Sequence, residues 1–171
     1  EALLRTAFLR TTNNKVADVI VAETSDHVHV EIKVSFRVNF EGEPSKWFSV
    51  DNYVKLLCDH ARSILKWAVR KVGVEKFYAD ATDLVRSSVL GESIIAKDGG
   101  GKASRPGLFF EENGMRVIDV DVLGVTIGDA QIATMLQRAQ NEVVAYSLNE
   151  AHLEREGKND GLVEKVKRQK I

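Results

Sequence analysis

The sequence predicts an α+β protein in which an antiparallel sheet packs against helices and a long helix follows. Three observations favour this class. A β pattern between Val16 and Phe40 ends in a strict apolar–polar alternation, which is typical of a strand with one buried face. After residue 50, apolar residues recur every three or four positions, as on one face of a helix. Beyond Asp129 the apolar period becomes 3.5 residues, which is typical of a coiled coil.

The composition limits the classes of protein that the chain can represent. Its 171 residues, 44% of them hydrophobic, are enough for one packed domain with an appendage. With 24 basic against 25 acidic residues, the net charge of −1 argues against a dedicated nucleic-acid binder. No apolar run approaches the roughly 18 residues of a membrane-spanning helix. The single cysteine, Cys58, excludes an internal disulfide and a zinc ribbon and favours a reducing compartment.

The first two strands are predicted to form a hairpin. Residues 16–24 are rich in β-branched side chains, and Ser25 and Asp26 supply turn chemistry. From His27 onward the polar side chains, which include His29, alternate with apolar ones. The residues predicted to point into the core are Val28, Val30, Ile32, Val34, Phe36, Val38 and Phe40. The short connection predicts antiparallel pairing.

Two helices are predicted next, after residues 41–44 break the strand at Pro44. Apolar residues at helical spacing run from Val54 to Val72 and again from Phe77 to Val89. Capping chemistry predicts the ends of these helices: Ser49 or Asp51 before the first, Gly73 after the first and Gly91 after the second.

The segment from Glu92 to Gly107 lacks periodicity and is predicted to be a loop. Residues 108–110 are predicted to form a short strand, and Asn113-Gly114 is typical of a hairpin turn. Met115–Ile127 is then predicted to be a long strand, with a bulge or bend at Gly124.

The final helix, capped by Asp129, is predicted to carry an oligomer interface. Its seam of period 3.5 consists of Ile132, Leu136, Ala139, Val143 and Tyr146. Gly157 and Gly161 each weaken a helix by about 1 kcal/mol, which leaves the continuity of this helix open. Because no second helix of this kind is predicted, the seam must find its partner on another molecule.

The residues that could carry chemistry do not form a site. Residues 98–104 have a glycine-rich stretch with Lys102, but the adjacent Gly-Lys-Ser/Thr of a phosphate loop is missing. His27 and His29 share a predicted strand face without further ligands, whereas a metal usually needs three or four. Cys58 is predicted to be a core residue. Asp119 and Asp121 are predicted to lie on an exposed strand face, not to act as an acid–base pair. We therefore expect no catalytic, cofactor or metal site, and no enzyme.

Four stretches resemble a known family. They are Asp18–His27 with its Glu-Thr-x-Asp-His core, Phe77–Gly91, Asn113–Val122 and Arg168–Ile171. In this order they resemble the SPFH (band 7) fold of stomatin, prohibitin and flotillin, and most closely the shoulder domain of the major vault proteins.

The resemblance implies a domain division and a function. Residues 1–15 would be the end of a preceding β-repeat or a linker, residues 16–128 the SPFH-like shoulder, and residues 129–171 the start of a cap helix. The chain would be a segment of a vault-like ribonucleoprotein shell that assembles as many copies in a ring, in the cytoplasm or alternatively the nucleus, without direct nucleic-acid binding. The alternative is a membrane-associated scaffold of the stomatin, prohibitin or flotillin type, with association at a lipid raft or membrane surface.

Overall fold

The computed structural model describes residues 8–93 and 105–168, without the side chains of residues 154 and 156–168. The chain divides into two compact units, Glu1–Asp129 and Ala130–Ile171. The elements of the first unit are β1 (Asn14–Glu23), β2 (His29–Phe40), α1 (Pro44–Trp47), α2 (Tyr53–Val69), α3 (Val74–Leu90), β3 (Leu108–Phe110) and β4 (Met115–Ile127). The second unit holds one helix, α4 (Ala130–Arg168).

The four strands form one antiparallel sheet in the order β1-β2-β4-β3. The predicted hairpin is confirmed, with Val16 opposite Phe36 and Ile20 opposite Ile32. The alternation in β2 is also confirmed, because every second side chain from Val30 to Phe40 is buried. Val28 precedes the strand and is only half-buried.

Two bulges interrupt the pairing of β4 with β2. Lys33 lies opposite Gly124 and the next residue lies opposite Val122, so Leu123 is an extra residue on β4. The prediction of an irregularity at Gly124 is therefore confirmed. A second bulge leaves Ile118 without an opposite residue. Each extra residue shifts the alternation of β4 side chains between the two faces of the sheet. As a result Leu123 is exposed.

Helices α2 and α3 cover the apolar face of the sheet. Their buried side chains recur at three- and four-residue spacing: Leu57, Cys58, Ala61, Leu65, Ala68 and Val69 in α2, and Val74, Phe77, Ala81, Val85, Val89 and Leu90 in α3. Helix α2 packs on β1, and α3 packs on β4. Each helix therefore lies above one lateral half of the sheet.

The helix boundaries differ from the predicted ones. Asn52, not Ser49 or Asp51, caps α2, because its side-chain oxygen accepts a hydrogen bond from the Lys55 N–H at 2.9 Å. Gly73 does not end α2 in a left-handed conformation. Its φ is −73°, and it is the N-cap of α3. Gly91 does end α3, with a φ of 82° that favours glycine.

The Asn113-Gly114 turn joins β3 to β4, as its sequence predicts. Gly114 has a φ of 67°, and its N–H bonds the Phe110 carbonyl at 3.0 Å. A side chain at this position would collide with the Glu41 carbonyl oxygen. The same close approach lets the Glu41 N–H donate to the Gly114 carbonyl at 2.7 Å, so the turn is tied to the end of β2.

The second unit is a single helix of 39 residues. It is continuous through Gly157–Gly161, the point that the sequence left open. None of its described side chains is buried in the single chain.

Candidate assembly surfaces

The Glu-Thr-x-Asp-His stretch forms the turn between β1 and β2 and serves the fold. The buried Thr24 hydroxyl donates to Asp26 Oδ1, and both Asp26 oxygens accept from the Val74 N–H at 3.0 and 3.1 Å. Asp26 therefore caps α3 from a distant turn, which Gly73 without a side chain cannot do. The Thr24 hydroxyl and the Val74 N–H hold the pKa of Asp26 below its ordinary value.

The two histidines do not share a strand face, so the placement predicted from the alternation is wrong. His27 is not on a strand face: it has a φ of 63° and lies in the turn, where Nδ1 is 2.6 Å from Glu23 Oε1. The hydrogen bond with His27 lowers the pKa of Glu23. His29 is the first residue of β2. Among the side chains that the structure describes, no group of three or more His, Cys, Asp or Glu residues could hold a metal ion.

Cys58 packs in the core, as predicted, beside a buried carboxylate. Burial raises the pKa of the thiol, and the nearby Asp18 charge raises it further. The Asp18 side chain is 10% exposed and pairs with Arg62 Nη2 at 2.7 Å. A protonated thiol is a poor nucleophile, so this cluster joins α2 to β1 rather than supplying reactivity.

Asp119 is half-buried and engaged in ion pairs. Arg86 of α3 approaches its Oδ1 at 2.8 Å, and Arg37 of β2 approaches its Oδ2 at 3.7 Å. Arg86 also donates to the Val120 carbonyl at 3.0 Å, which ties α3 to β4. Asp121, two residues on, is exposed. The glycine-rich residues 98–104 lie outside the described residues.

The edges of the sheet differ in regularity. Strand β1 pairs with β2 over ten residues without a register shift, and its other edge has no strand partner in the described sheet. On the face opposite the helices, Val19 and Val21 are exposed. The opposite edge is irregular: β3 covers only residues 115–117 of β4, and the bulges and Arg86 interrupt the rest.

The predicted seam residues lie on the first five turns of α4. Ile132 and Leu136 are half-buried in the single chain, and Ala139, Val143 and Tyr146 are exposed. Val143 and Tyr146 expose 69% and 73% of their surface. The seam did not include Met135, Val144, Leu148 and Leu153, which are also exposed large apolar residues. Among these four residues, only Leu153 continues the 3.5-residue spacing of the seam. The other three do not follow this spacing, so the spacing could not predict them.

The described fold and its contacts define a structural class of domain. Several of its charged side chains cap a helix or join helices to strands, and its exposed large apolar residues include Val19 and Val21 on a sheet face and Val143 and Tyr146 on a long helix. No helix among the described residues has the length and apolar character needed to cross a membrane.

The comparisons with known proteins then give the family. The family model described as the shoulder domain of the major vault protein matches residues 12–129. The chain is 30% identical over 143 residues to the major vault proteins of Homo sapiens and Pongo abelii, which covers 77% of this chain. It is 29% identical over 127 residues to major vault protein beta of Dictyostelium discoideum, which covers 72%. The chain belongs to the major vault protein family and contains its shoulder domain. It spans 14% to 16% of the length of these relatives.

Proposed function

We propose that the chain is a structural segment of a vault-like ribonucleoprotein shell, in which many copies stand side by side in a ring. The match of residues 12–129 to the shoulder domain carries the proposal. The relatives are named major vault proteins, and this name is the reason for proposing a vault-like particle. The cytoplasm is the compartment that this function implies, and association with a lipid surface stays a prediction.

The architecture supports an SPFH-like shoulder followed by a coiled-coil-type helix. An antiparallel sheet with helices on one face precedes a long helix that exposes Val143 and Tyr146. An apolar stripe on a helix gains most when another helix covers it. In the proposed ring, α4 packs against α4 of the neighbouring copies through Ile132, Leu136, Ala139, Val143 and Tyr146.

A charge placed within the seam tests this function. Leu136→Asp together with Val143→Asp should weaken self-association by about tenfold or more for each substitution, because an unpaired carboxylate would meet an apolar neighbour. The melting temperature of the first unit should stay unchanged. Sedimentation velocity and electron microscopy measure the assembly, and circular dichroism measures the melting.

Gln137→Asp with Asn141→Asp is the matched control, since it adds the same charge to exposed positions outside the seam. This control should assemble like the wild type. Closed particles formed by L136D/V143D would contradict the seam, and a wild-type chain that stays monomeric at every concentration would contradict the proposed function. Flotation of the unassembled chain with lipid vesicles would instead favour the membrane-scaffold alternative.

A further inference from the structure

The two lateral sides of the first unit carry opposite charge, and we propose that α2 of one copy docks beside α3 of the next copy through this difference. The inference rests on the proposed function, because it names the contact between shoulder domains of neighbouring subunits. It concerns residues other than the α4 seam.

The topology of the sheet defines the two sides. Strand β1 lies at one edge and packs under α2, whereas β4 and β3 lie at the other edge and pack near α3. We call β1 with α2 the basic side, and β4 with α3 the acidic side. Both helices lie on the same face of the sheet, so a second copy placed edge to edge would continue the helix layer.

The basic side holds two cations that form no salt bridge within the described residues, and one of them, Arg70, is close enough to Glu23 for its charge to lower the pKa of that carboxyl group. Strand β1, helix α2 and the two residues after it carry six basic side chains and three acidic ones: Lys15, Lys55, Arg62, Lys66, Arg70 and Lys71 against Asp18, Glu23 and Asp59. Lys55 and Arg62 share Asp59, and Arg62 also pairs with Asp18. The Lys71 ammonium lies 3.1 Å from the centre of the Trp67 ring.

Lys66 and Arg70 are the two cations of α2 and its C-terminal end that have no salt bridge or ring contact within the described residues. They are exposed and lie one helical turn apart. Together with Glu23 and His29 they line a shallow cavity of about 270 Å³ at the β1 edge. Their position against β1 directs them toward the outside of the sheet, where a neighbouring copy would lie.

The acidic side has the complementary arrangement. Helix α3 and strand β4 together carry five acidic residues and three basic ones: Glu75, Asp80, Asp83, Asp119 and Asp121 against Lys76, Arg86 and Arg116. Arg86 forms an ion pair with Asp119, and Arg116 forms an ion pair with Glu41 at 2.7 Å. Glu111 and Glu112 in the adjacent turn add further negative charge.

Asp80 and Asp83 are exposed on α3 and form no ion pair within the described residues. They are three residues apart, and α3 is kinked at Asp80, whose φ of −118° and ψ of 18° are not helical. Asp83 precedes Arg86 by one turn and therefore shares its side of the helix, which faces β4. Asp83 is therefore the carboxylate that lies on the β4 side of α3, and Asp80 lies three residues before it at the kink.

A second copy is the occupant that fits both sides. An acidic polymer or an anionic membrane would be attracted to the basic side but repelled by the acidic side of the same domain. Contact between unlike sides is heterologous, and such contacts generate rings when the rotation closes. The ring of the proposed function is an arrangement of this kind.

A charge-swap experiment on the full chain tests the inference. Lys66→Glu with Arg70→Glu makes both sides acidic, and Asp80→Lys with Asp83→Lys makes both sides basic. Each variant alone should self-associate at least about tenfold more weakly in sedimentation velocity, because like charges now face each other. An equimolar mixture should regain the wild-type assembly, since the two variants can alternate. High salt should weaken the wild-type assembly.

Lys33→Glu with Lys46→Glu is the matched control, because it reverses two exposed cations on the central strand and on α1. It should assemble like the wild type. Asp83→Lys with Asp121→Lys replaces the second variant if a change at the kinked Asp80 perturbs α3.

The outcomes separate the inference from the proposed function. Charge variants that fold and assemble like the wild type, in a chain whose assembly L136D/V143D abolishes, would overturn the inference alone. Folded variants that fail to assemble in the equimolar mixture would also overturn the inference and leave the proposed function standing. A wild-type chain that stays monomeric would overturn the inference together with the function on which it rests.

Discussion

At the residue scale, Asp26 has the largest structural role of the charged residues in the β1–β2 turn. It accepts hydrogen bonds from the Thr24 hydroxyl and the Val74 N–H and so caps α3. Asp26→Ala should lower the free energy of unfolding by about 1–2 kcal/mol at neutral pH, the usual cost of a lost cap. Urea unfolding of the variant, followed by circular dichroism, measures this difference.

The pH dependence of the Asp26 effect follows from its lowered pKa. In the unfolded chain an aspartate titrates near about 3.9, so the stabilisation is fully present above that pH. It is lost as the pH falls through the lower pKa of the folded state, and the difference between wild type and D26A should shrink there. Asp51→Ala, at an exposed carboxylate, should change stability by less than about 0.5 kcal/mol. A D26A effect that grows below about pH 4 would contradict the capping role.

His27 provides a second prediction at this scale, because its φ of 63° is unfavourable for a side chain with a Cβ. His27→Gly should leave stability unchanged or raise it by up to about 1 kcal/mol, since the exposed pair with Glu23 contributes little. His27→Val should destabilise the fold by about 1–2 kcal/mol, because β-branched residues disfavour this conformation. Thermal melts compare the two, and equal stability would show that the turn adopts another conformation in solution.

At the element scale, local patterns predicted the strands better than the ends of the helices. The period of two in β2 identified its buried face because the whole strand crosses the core. Gly73 and Gly91 look alike in the sequence, yet one starts a helix and the other ends one. The difference lies in Asp26, 47 residues before Gly73, whose carboxylate supplies the missing cap of α3. Such a tertiary contact has no local signal.

The candidate surfaces, too, could be predicted from the sequence only where they depend on a local pattern. The α4 seam is proposed from spacing within one helix, which is a local pattern, and it stays a prediction. The opposite charges of α2 and α3 become separate surfaces only when the sheet order β1-β2-β4-β3 places these helices above opposite edges. The bulge at Ile118 likewise had no signal, whereas the bulge beside Gly124 had one.

At the scale of the whole molecule, the distribution of the core predicts how the two units fold. Every buried side chain among the described residues lies between Val16 and Ile127, and the helix faces of α2 and α3 cover the apolar face of the sheet. A fragment that ends at Asp129 therefore retains the whole described core. We expect it to melt in one cooperative transition within a few degrees of the full chain, as circular dichroism would measure.

The isolated second unit should behave differently. None of the described side chains of α4 is buried in the single chain, so the helix gains little from packing, and helices that are marginal in water depend on such packing. A peptide of residues 130–171 should therefore have low helicity at micromolar concentration, and its helicity should rise with concentration as the apolar stripe finds partners. Circular dichroism over a wide concentration range measures both quantities, and L136D/V143D in the same peptide should abolish the rise. High helicity that is independent of concentration would mean that α4 forms without neighbours, and the shell would then need the contact between α2 and α3 to hold its copies together.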